Sequence, residues 1–531
     1  HATLEEYAGA APRAERLPAH AWELVLLHAD SVPGLLAKID ALAASKRPLA
    51  RLAHESRRDW RADAPHRLAL VVDSMDNLRQ RLKAAAERIR LAPDAAHGLA
   101  DGSSYGVGAP AGGVAFLFPG QGSQYLEMGA GLAMQFDAAR RVWDQAAALP
   151  LDEGLRPHQV VYPQPVFDAA AEAAQRARLT ATEHAQPALA AHSAALLALL
   201  DELGVRADAT AGHSFGELMA LHAAGACDLP TALQLARARG LAMREAARTP
   251  GAMSAVSAPV ERVRELLAGQ REVLIANHNG PQQVVVSGPT EAVAAFEQRL
   301  AAAQIAHARL PVASAFHSPI VAGASAAFGA ALARAPMQMP RLPVYANAEA
   351  APYAGDEETL RGQLAVQLSQ PVRFVEMIEA MHAAGLRTFV EVGPGQVLSG
   401  LVGAILEGRP HQAIALDRKG RDGVQTLLMG LARLAAAGAL SRPDQLYADV
   451  RLPPEDTPGP KHAIAIDGSN LGKPYPPPPG TPMPAPNLAR AAAEAGAAGN
   501  SDAIETTAPE ARVGRGTAQP FPGASAVREA A

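Results

Sequence analysis

Gly212-His213-Ser214-Phe215-Gly216 places a serine between two glycines with one residue on either side. That spacing fits a nucleophile elbow, a strand-to-helix turn so tight that the flanking positions tolerate no side chain. A serine hydroxyl is a poor nucleophile at neutral pH and needs a base to take its proton. The stretch after it, "GELMALHAAGA", reads as a helix. Ser214 would then sit at a helix N-terminus, where free N–H groups and the helix dipole favour developing negative charge. The main-chain N–H of Phe215 is a natural donor to an oxyanion. Taken alone the pattern is weak and is shared by hydrolases and transferases. His213 projects from the opposite side of the turn, which makes it a substrate contact rather than the base. Among 17 histidines, His317 in "SAFHSPI" stands out, because it falls where the chain re-enters the large domain after an inserted segment. Such a junction forms a cleft, a preferred place for ligands.

The elements that must carry these groups read as α/β. "AWELVLLHA" and "HRLALVVDS" are strand-like, each followed by an amphipathic helix, the first with Ser31 as N-cap and Pro33 in its first turn. They form a small α/β module, and the glycine-rich "DGSSYGVGAPAGG", Asp101 to Gly113, reads either as the connection to the next domain or as a surface loop within one domain. From Val114 the buried run "VAFLFPG" and long helices such as "PALAAHSAALLALLDELG" argue for a parallel sheet covered on both faces. Between Met253 and Val312 the order becomes β-α-β-β-α-β, the ferredoxin-like arrangement, inserted into the larger domain. The last large-domain strand is "LRTFVEVGPG", and a helix, "VQTLLMGLARLAAAGAL", follows. "KPYPPPPGTPMPAP" favours extended polyproline geometry, and residues 487–531 lack the bulky apolar set a core requires.

Composition narrows the classes further. The chain has 531 residues, enough for two to four domains, with 49% hydrophobic but only 4% aromatic residues. Forty-eight basic residues against 53 acidic ones, without a basic run, leave little support for a nucleic-acid partner. No apolar run reaches the roughly 18 residues that span a bilayer, so no membrane role is expected. A single cysteine, Cys227, rules out an internal disulfide framework and points to a reducing, cytoplasmic setting. The chain begins with His1 rather than methionine and reads as a piece of a longer polypeptide.

Eight segments in order carry a family resemblance: "FLFPGQGSQYLEMG", "TEHAQPAL", "GHSFGELMAL", "RARGLAM", "ANHNGPQQVVVSG", "SAFHSP", "QPVRF" and "EVGPGQVLSGL". From about Val114 to Leu416 the chain resembles malonyl-CoA:acyl-carrier-protein transacylases, most of all the acyltransferase domains of polyketide and polyunsaturated-fatty-acid synthases. That resemblance implies an α/β-hydrolase-like parallel-sheet subdomain, 113–252 and 314–417, with the ferredoxin-like subdomain at 253–313. Residues 1–7 resemble the end of a ketosynthase and 8–112 the α/β linker between ketosynthase and acyltransferase. Residues 418–475 would be a linker after the acyltransferase and 476–531 a disordered tail. "IDGSNLGKPYPP", 466–477, is similar to the segment preceding carrier-protein domains in polyunsaturated-fatty-acid synthases.

The resemblance also implies roles. Ser214 attacks malonyl-CoA with His317 as base. The main-chain carbonyl of Gln367 orients the imidazole, and the N–H groups of Gln121 and Phe215 form the oxyanion hole. Arg239 grips the malonyl carboxylate with His213 in support, Gln186, Asn277 and Gln282 line the site, and Phe316 fills the space an α-methyl group needs. Ser314 departs from the residue usual at the start of that stretch. Glu217 is read as structural. No cofactor or metal is implied for this segment. The acceptor is the phosphopantetheine thiol of an acyl carrier protein, and an adjacent ketosynthase is the expected neighbour in the same polypeptide. A serine hydrolase and a docking scaffold are the competing readings.

Overall fold

The computed structural model describes residues 21–98, 102–246, 250–312, 314–450 and 452. The expected ketosynthase end, the polyproline stretch and the tail therefore lie outside the described residues. The first described module is a four-stranded antiparallel sheet: β1 (Glu23–Ala29), β2 (His66–Val72), β3 (His97–Gly98) and β4 (Ser104–Val107), in the order β1-β2-β4-β3. Its first helix, Val32–Ala43, begins as its sequence predicts, with the Ser31 hydroxyl accepting the Gly34 N–H at 3.3 Å. The glycine-rich stretch read as a connection differs from expectation, because Ser104–Val107 pairs along β2. Tertiary contacts outweigh its loop-like composition: Tyr105 is buried and its hydroxyl donates to Pro93 O at 2.8 Å.

The sheet's other face is closed by the helix Gly423–Ala436, far along the chain. Arg67 Nε donates to Ala436 O at 3.0 Å, and Trp60 Nε1 to Leu440 O at 2.9 Å. At Gly106 any β-carbon would lie 1.8 Å from Ala436 O, so only glycine permits this approach.

The main sheet takes β5 (Gly113–Phe118) and β6 (Ala209–Gly212) from the next segment. The chain then leaves it for β7 (Ala252–Val256), β8 (Leu274–Gly280), β9 (Gln283–Gly288) and β10 (His307–Arg309). These form a separate antiparallel sheet in the order β10-β7-β9-β8, with helices Val260–Leu267 and Thr290–Ala302 between strands. The chain returns through β11 (Val344–Tyr345), β12 (Leu386–Glu391) and β13 (Gln412–Ala415). The completed five-stranded sheet is parallel throughout, ordered β11-β6-β5-β12-β13. Its central strands are near-continuous apolar runs because helices cover both faces. The helix Thr182–Glu202 is apolar on nearly every side, which places it inside. Leu189, Leu196 and Leu200 are fully enclosed there, each contributing roughly 1.5–3 kcal/mol. No helix among the described residues is long and apolar enough to cross a membrane.

In open parallel sheets the strand C-termini present loops to one crevice. Here that edge gathers the turn after β5, the elbow after β6 and the residues after β11. The antiparallel sheet also contributes, with β8 touching Val372 through a bridge from Asn277.

Candidate active site

Ser214 stands directly after β6, with φ 51°. That left-handed conformation is costly for a serine and persists only where the surroundings enforce it. The two glycines show how. A β-carbon at Gly212 would meet the Gly216 carbonyl carbon at 1.9 Å, and one at Gly216 would meet Phe118 O at 1.9 Å. Strand, turn and helix are thus packed backbone against backbone. Asn347, just beyond β11, locks the turn from below: its Oδ1 accepts the Ser214 N–H at 2.7 Å and its Nδ2 donates to Gly212 O at 2.6 Å. Glu217 in turn holds Asn347, accepting its main-chain N–H at 3.1 Å and a hydrogen bond from the Tyr353 hydroxyl. Its structural role is therefore tertiary rather than local to the first helical turn. Burial raises the Glu217 carboxyl to about 7 despite those two donors.

Ser214 Oγ lies 2.8 Å from His317 Nε2. His317 also has a left-handed backbone, φ 57°, and its N–H donates to Leu368 O at 3.0 Å. Its Nδ1 lies 2.8 Å from the Gln370 carbonyl. The Gln370 carbonyl thus joins the expected Gln367 carbonyl, which also acts on the imidazole. The Gln367 carbonyl closes a 3₁₀ turn by accepting the Gln370 N–H at 3.2 Å, and that turn swings the Gln370 carbonyl toward the imidazole. Burial and then the Arg239 cation hold the His317 imidazole down at about 3, so it is neutral and able to accept a proton. Among the described residues neither the Phe215 nor the Gln121 main-chain N–H has a hydrogen-bond acceptor. Both belong to segments that meet at the elbow, since a β-carbon at Gly120 would touch His213 O at 2.6 Å.

Arg239 is 1% exposed, on the helix Leu229–Ala246. Its sequence neighbours turn the other way: Arg237 pairs with Asp152 at 3.4 Å, and Arg244 pairs with the same carboxylate. Arg239 instead faces the cavity, with Nη2 donating to Gln367 Oε1 and Nη1 to Met243 Sδ, both at 3.1 Å. No acidic side chain among the described residues forms an ion pair with it. Burial lowers its pKa to about 10, which still leaves it cationic at neutral pH.

The cavity, about 120 Å³, brings Ser214, His317, Arg239, His213, Phe316 and Asn277 together. Gln121 also lines it, its side chain tied to Thr182 Oγ1 at 3.1 Å. His213 Nε2 lies 2.7 Å from Asn279 Oδ1, and burial keeps this imidazole neutral as well. Two expected lining residues are elsewhere. Gln186 is fully buried behind the wall, donating to Met243 Sδ at 3.1 Å. Gln282 is exposed in the turn between β8 and β9, outside the paired strands. Sequence reasoning missed Asn347, Asn279, Gln370 and Met243. The one available signal was an asparagine near the end of each of two strands, Asn279 within β8 and Asn347 just beyond β11. Cys227 is buried with its thiol raised to about 12, unsuited to act as a nucleophile.

A strained serine hydrogen-bonded to an oriented neutral histidine, beside two N–H groups without an acceptor at the edge of a parallel sheet, is an arrangement chemically suited to acyl transfer. The chain belongs to the acyl transferase domain family, whose model matches residues 115–439, and it is an acyltransferase. It is 38% identical over 297 residues to the malonyl CoA-acyl carrier protein transacylase of Bacillus subtilis, an alignment covering 54% of this chain and 89% of that protein. It is 37% identical over 338 residues to mycoketide-CoA synthase of Mycobacterium tuberculosis, covering 62% of this chain but only 8% of the synthase. Among solved structures it is similar to the acyltransferase domain of the iterative polyketide synthase in enediyne biosynthesis. That match has TM-score 0.61 and 32% identity and covers 79% of this chain and 97% of the other.

Proposed function

We propose that this chain transfers a malonyl group from malonyl-CoA, through an ester on Ser214, to the phosphopantetheine thiol of an acyl carrier protein. The observation that carries this reading is Arg239, a buried cation that forms no ion pair among the described residues and shares its cavity with the Ser214–His317 pair. An uncompensated buried charge is costly unless a ligand supplies the partner. The malonyl carboxylate lies two bonds from the thioester carbonyl carbon, so cation and nucleophile can engage one acyl unit together. Neutral acyl groups offer nothing to that cation.

The geometry supports the following steps. His317 Nε2 takes the Ser214 proton as Oγ attacks the thioester carbonyl, while Gln370 holds the opposite ring nitrogen protonated. The oxyanion is received by the Phe215 and Gln121 N–H groups, each worth on the order of 3 kcal/mol in such sites. The carbon–sulfur bond breaks, and coenzyme A leaves as its thiol with the proton from His317. The carrier thiol then gives its proton to His317 and attacks the malonyl ester, and Ser214 regains the proton as it departs. Phe316, against the cavity, disfavours an α-methyl branch.

In the same reading, the strand order of the antiparallel sheet, β10-β7-β9-β8, supports a ferredoxin-like subdomain at 253–313. Residues 8–112 serve as the linker from a preceding ketosynthase, and 418–475 lead toward carrier domains of a polyketide or polyunsaturated-fatty-acid synthase in the cytoplasm.

A transferase and a hydrolase with this nucleophile differ in the fate of the acyl-enzyme. Mixing the chain with excess malonyl-CoA, and monitoring thiol release, is expected to give one equivalent of coenzyme A and then near-arrest. Adding a phosphopantetheinylated carrier protein should restart release. Continuous release without carrier would establish the hydrolase reading instead.

A further inference from the structure

The Gln367 side chain stands between the two halves of the site. It is 3% exposed, and its amide is polarised by its neighbours: Oε1 accepts from Arg239 Nη2 at 3.1 Å, while Nε2 donates to Ser214 O at 3.0 Å. The same Nε2 is 3.5 Å from Asn347 Oδ1, the atom that accepts the Ser214 N–H. One amide therefore joins the guanidinium to the main chain of the nucleophile, across 153 residues of sequence to Ser214 and 128 to Arg239. On its other side Arg239 donates to the Met243 thioether, a weak acceptor that Gln186 also shares, and its guanidinium lies 6.0 Å from the Phe215 ring centroid.

We propose that Gln367 is a positioning residue, one that aims the Arg239 guanidinium at a set distance from Ser214 while leaving its charge uncompensated for the substrate carboxylate. The inference rests on Arg239 gripping that carboxylate. Its physical content is the choice of an amide. A carboxylate at the same place would orient the guanidinium equally well, but it would neutralise it and occupy a donor that the malonyl group needs. An apolar side chain would leave the cation free yet loose, and Ser214 O would keep only the Glu217 N–H at 3.2 Å. Only a neutral group with an acceptor at one end and a donor at the other does both tasks. Met243 fits the same logic, since its sulfur satisfies a second donor too weakly to compete with an arriving carboxylate.

The test compares Gln367→Glu and Gln367→Leu with the wild type in the full 531-residue chain, measuring Ser214 acylation by malonyl-CoA and by acetyl-CoA. Gln367→Glu is expected to raise KM for malonyl-CoA about ten- to hundredfold, the worth of a hydrogen-bonded charge contact, while changing acetyl-CoA loading far less. Gln367→Leu is expected to lower kcat with malonyl-CoA, with a smaller rise in KM than the Glu variant shows. Thermal melting of each variant checks that the fold is kept. If the Glu variant does not fold, the Leu variant decides, and wild-type loading by Gln367→Leu overturns the inference. An unchanged malonyl KM in a folded Gln367→Glu protein, or an equal loss with both acyl groups, also overturns it. Those outcomes leave malonyl transfer itself standing. Failure of the wild-type chain to load malonyl would instead remove the functional reading beneath it.

Discussion

Arg239→Ala is expected to lower kcat/KM for malonyl loading by about 3 kcal/mol, on the order of a hundredfold, because truncating one side of a buried charge pair costs 2–5 kcal/mol. Loading by acetyl-CoA should not fall and is expected to rise, since the cavity no longer presents a bare cation to a neutral acyl group. The fold should tolerate the change. Arg239 forms no ion pair among the described residues, and its hydrogen bonds go to one amide and one thioether. Acyl loading by intact-protein mass at several concentrations of each donor decides the matter. Unchanged malonyl loading, with no gain for acetyl, would show that the guanidinium serves something other than the substrate carboxylate. The variant has a second signature. The Arg239 cation is one of the causes holding His317 low, so its removal raises the imidazole pKa and shifts the acid limb of the rate profile upward.

His317→Ala is expected to reduce the first acylation step by roughly 10³- to 10⁴-fold, the scale of general-base catalysis combined with lost orientation. The pH dependence of the wild type tests the same group without mutation. A general base must be unprotonated to act, and His317 is held at about 3, against 6.5 for an ordinary imidazole. Protonation on acidification therefore removes activity only well below the usual histidine range. Over the pH range where the protein stays folded, kcat/KM for loading should be flat from pH 8 down to about 5. In the malonyl complex the carboxylate offsets Arg239, so the acid limb of kcat should lie above that of kcat/KM. An acid limb of kcat/KM near 6.5 that persists in Glu217→Gln, and so does not belong to the raised Glu217 carboxyl, would mean that His317 is solvated in the free enzyme and the enclosed site is misdescribed.

The features that sequence reveals here are those that depend on neighbours a few residues apart. The glycine spacing around Ser214, the hydroxyl cap at Ser31 and the apolar runs of β5 and β12 are local, and the structure realises each of them. The change of rhythm after Met253 likewise anticipates a separate antiparallel sheet, because the alternation of short strands and helices is itself local. Features that stay hidden depend on pairs far apart. Asn347 supports Ser214 from 133 residues away, and Asn279 meets His213 across 66. Asparagine near a strand end is too common to signal such a role unaided.

The addition of Gln370 beside Gln367 is a narrower case. Both are glutamines in one short stretch, and the 3₁₀ turn between them brings the Gln370 carbonyl to 2.8 Å from the imidazole. A motif places the segment, whereas the turn geometry adds the second carbonyl. Arg239 lies between these cases. Its spacing from Arg237 and Arg244 puts it on a different face of the helix, but only the position of Asp152 shows which face is wet.

Ser214 as the acyl carrier is the claim on which the rest depends, and intact-protein mass spectrometry after brief exposure to malonyl-CoA tests it most directly. One malonyl adduct per chain is expected, located by peptide mapping to Ser214 and missing from Ser214→Ala under the same conditions. An adduct that persists in the alanine variant, or none from any acyl-CoA on the folded wild-type chain, would contradict the account.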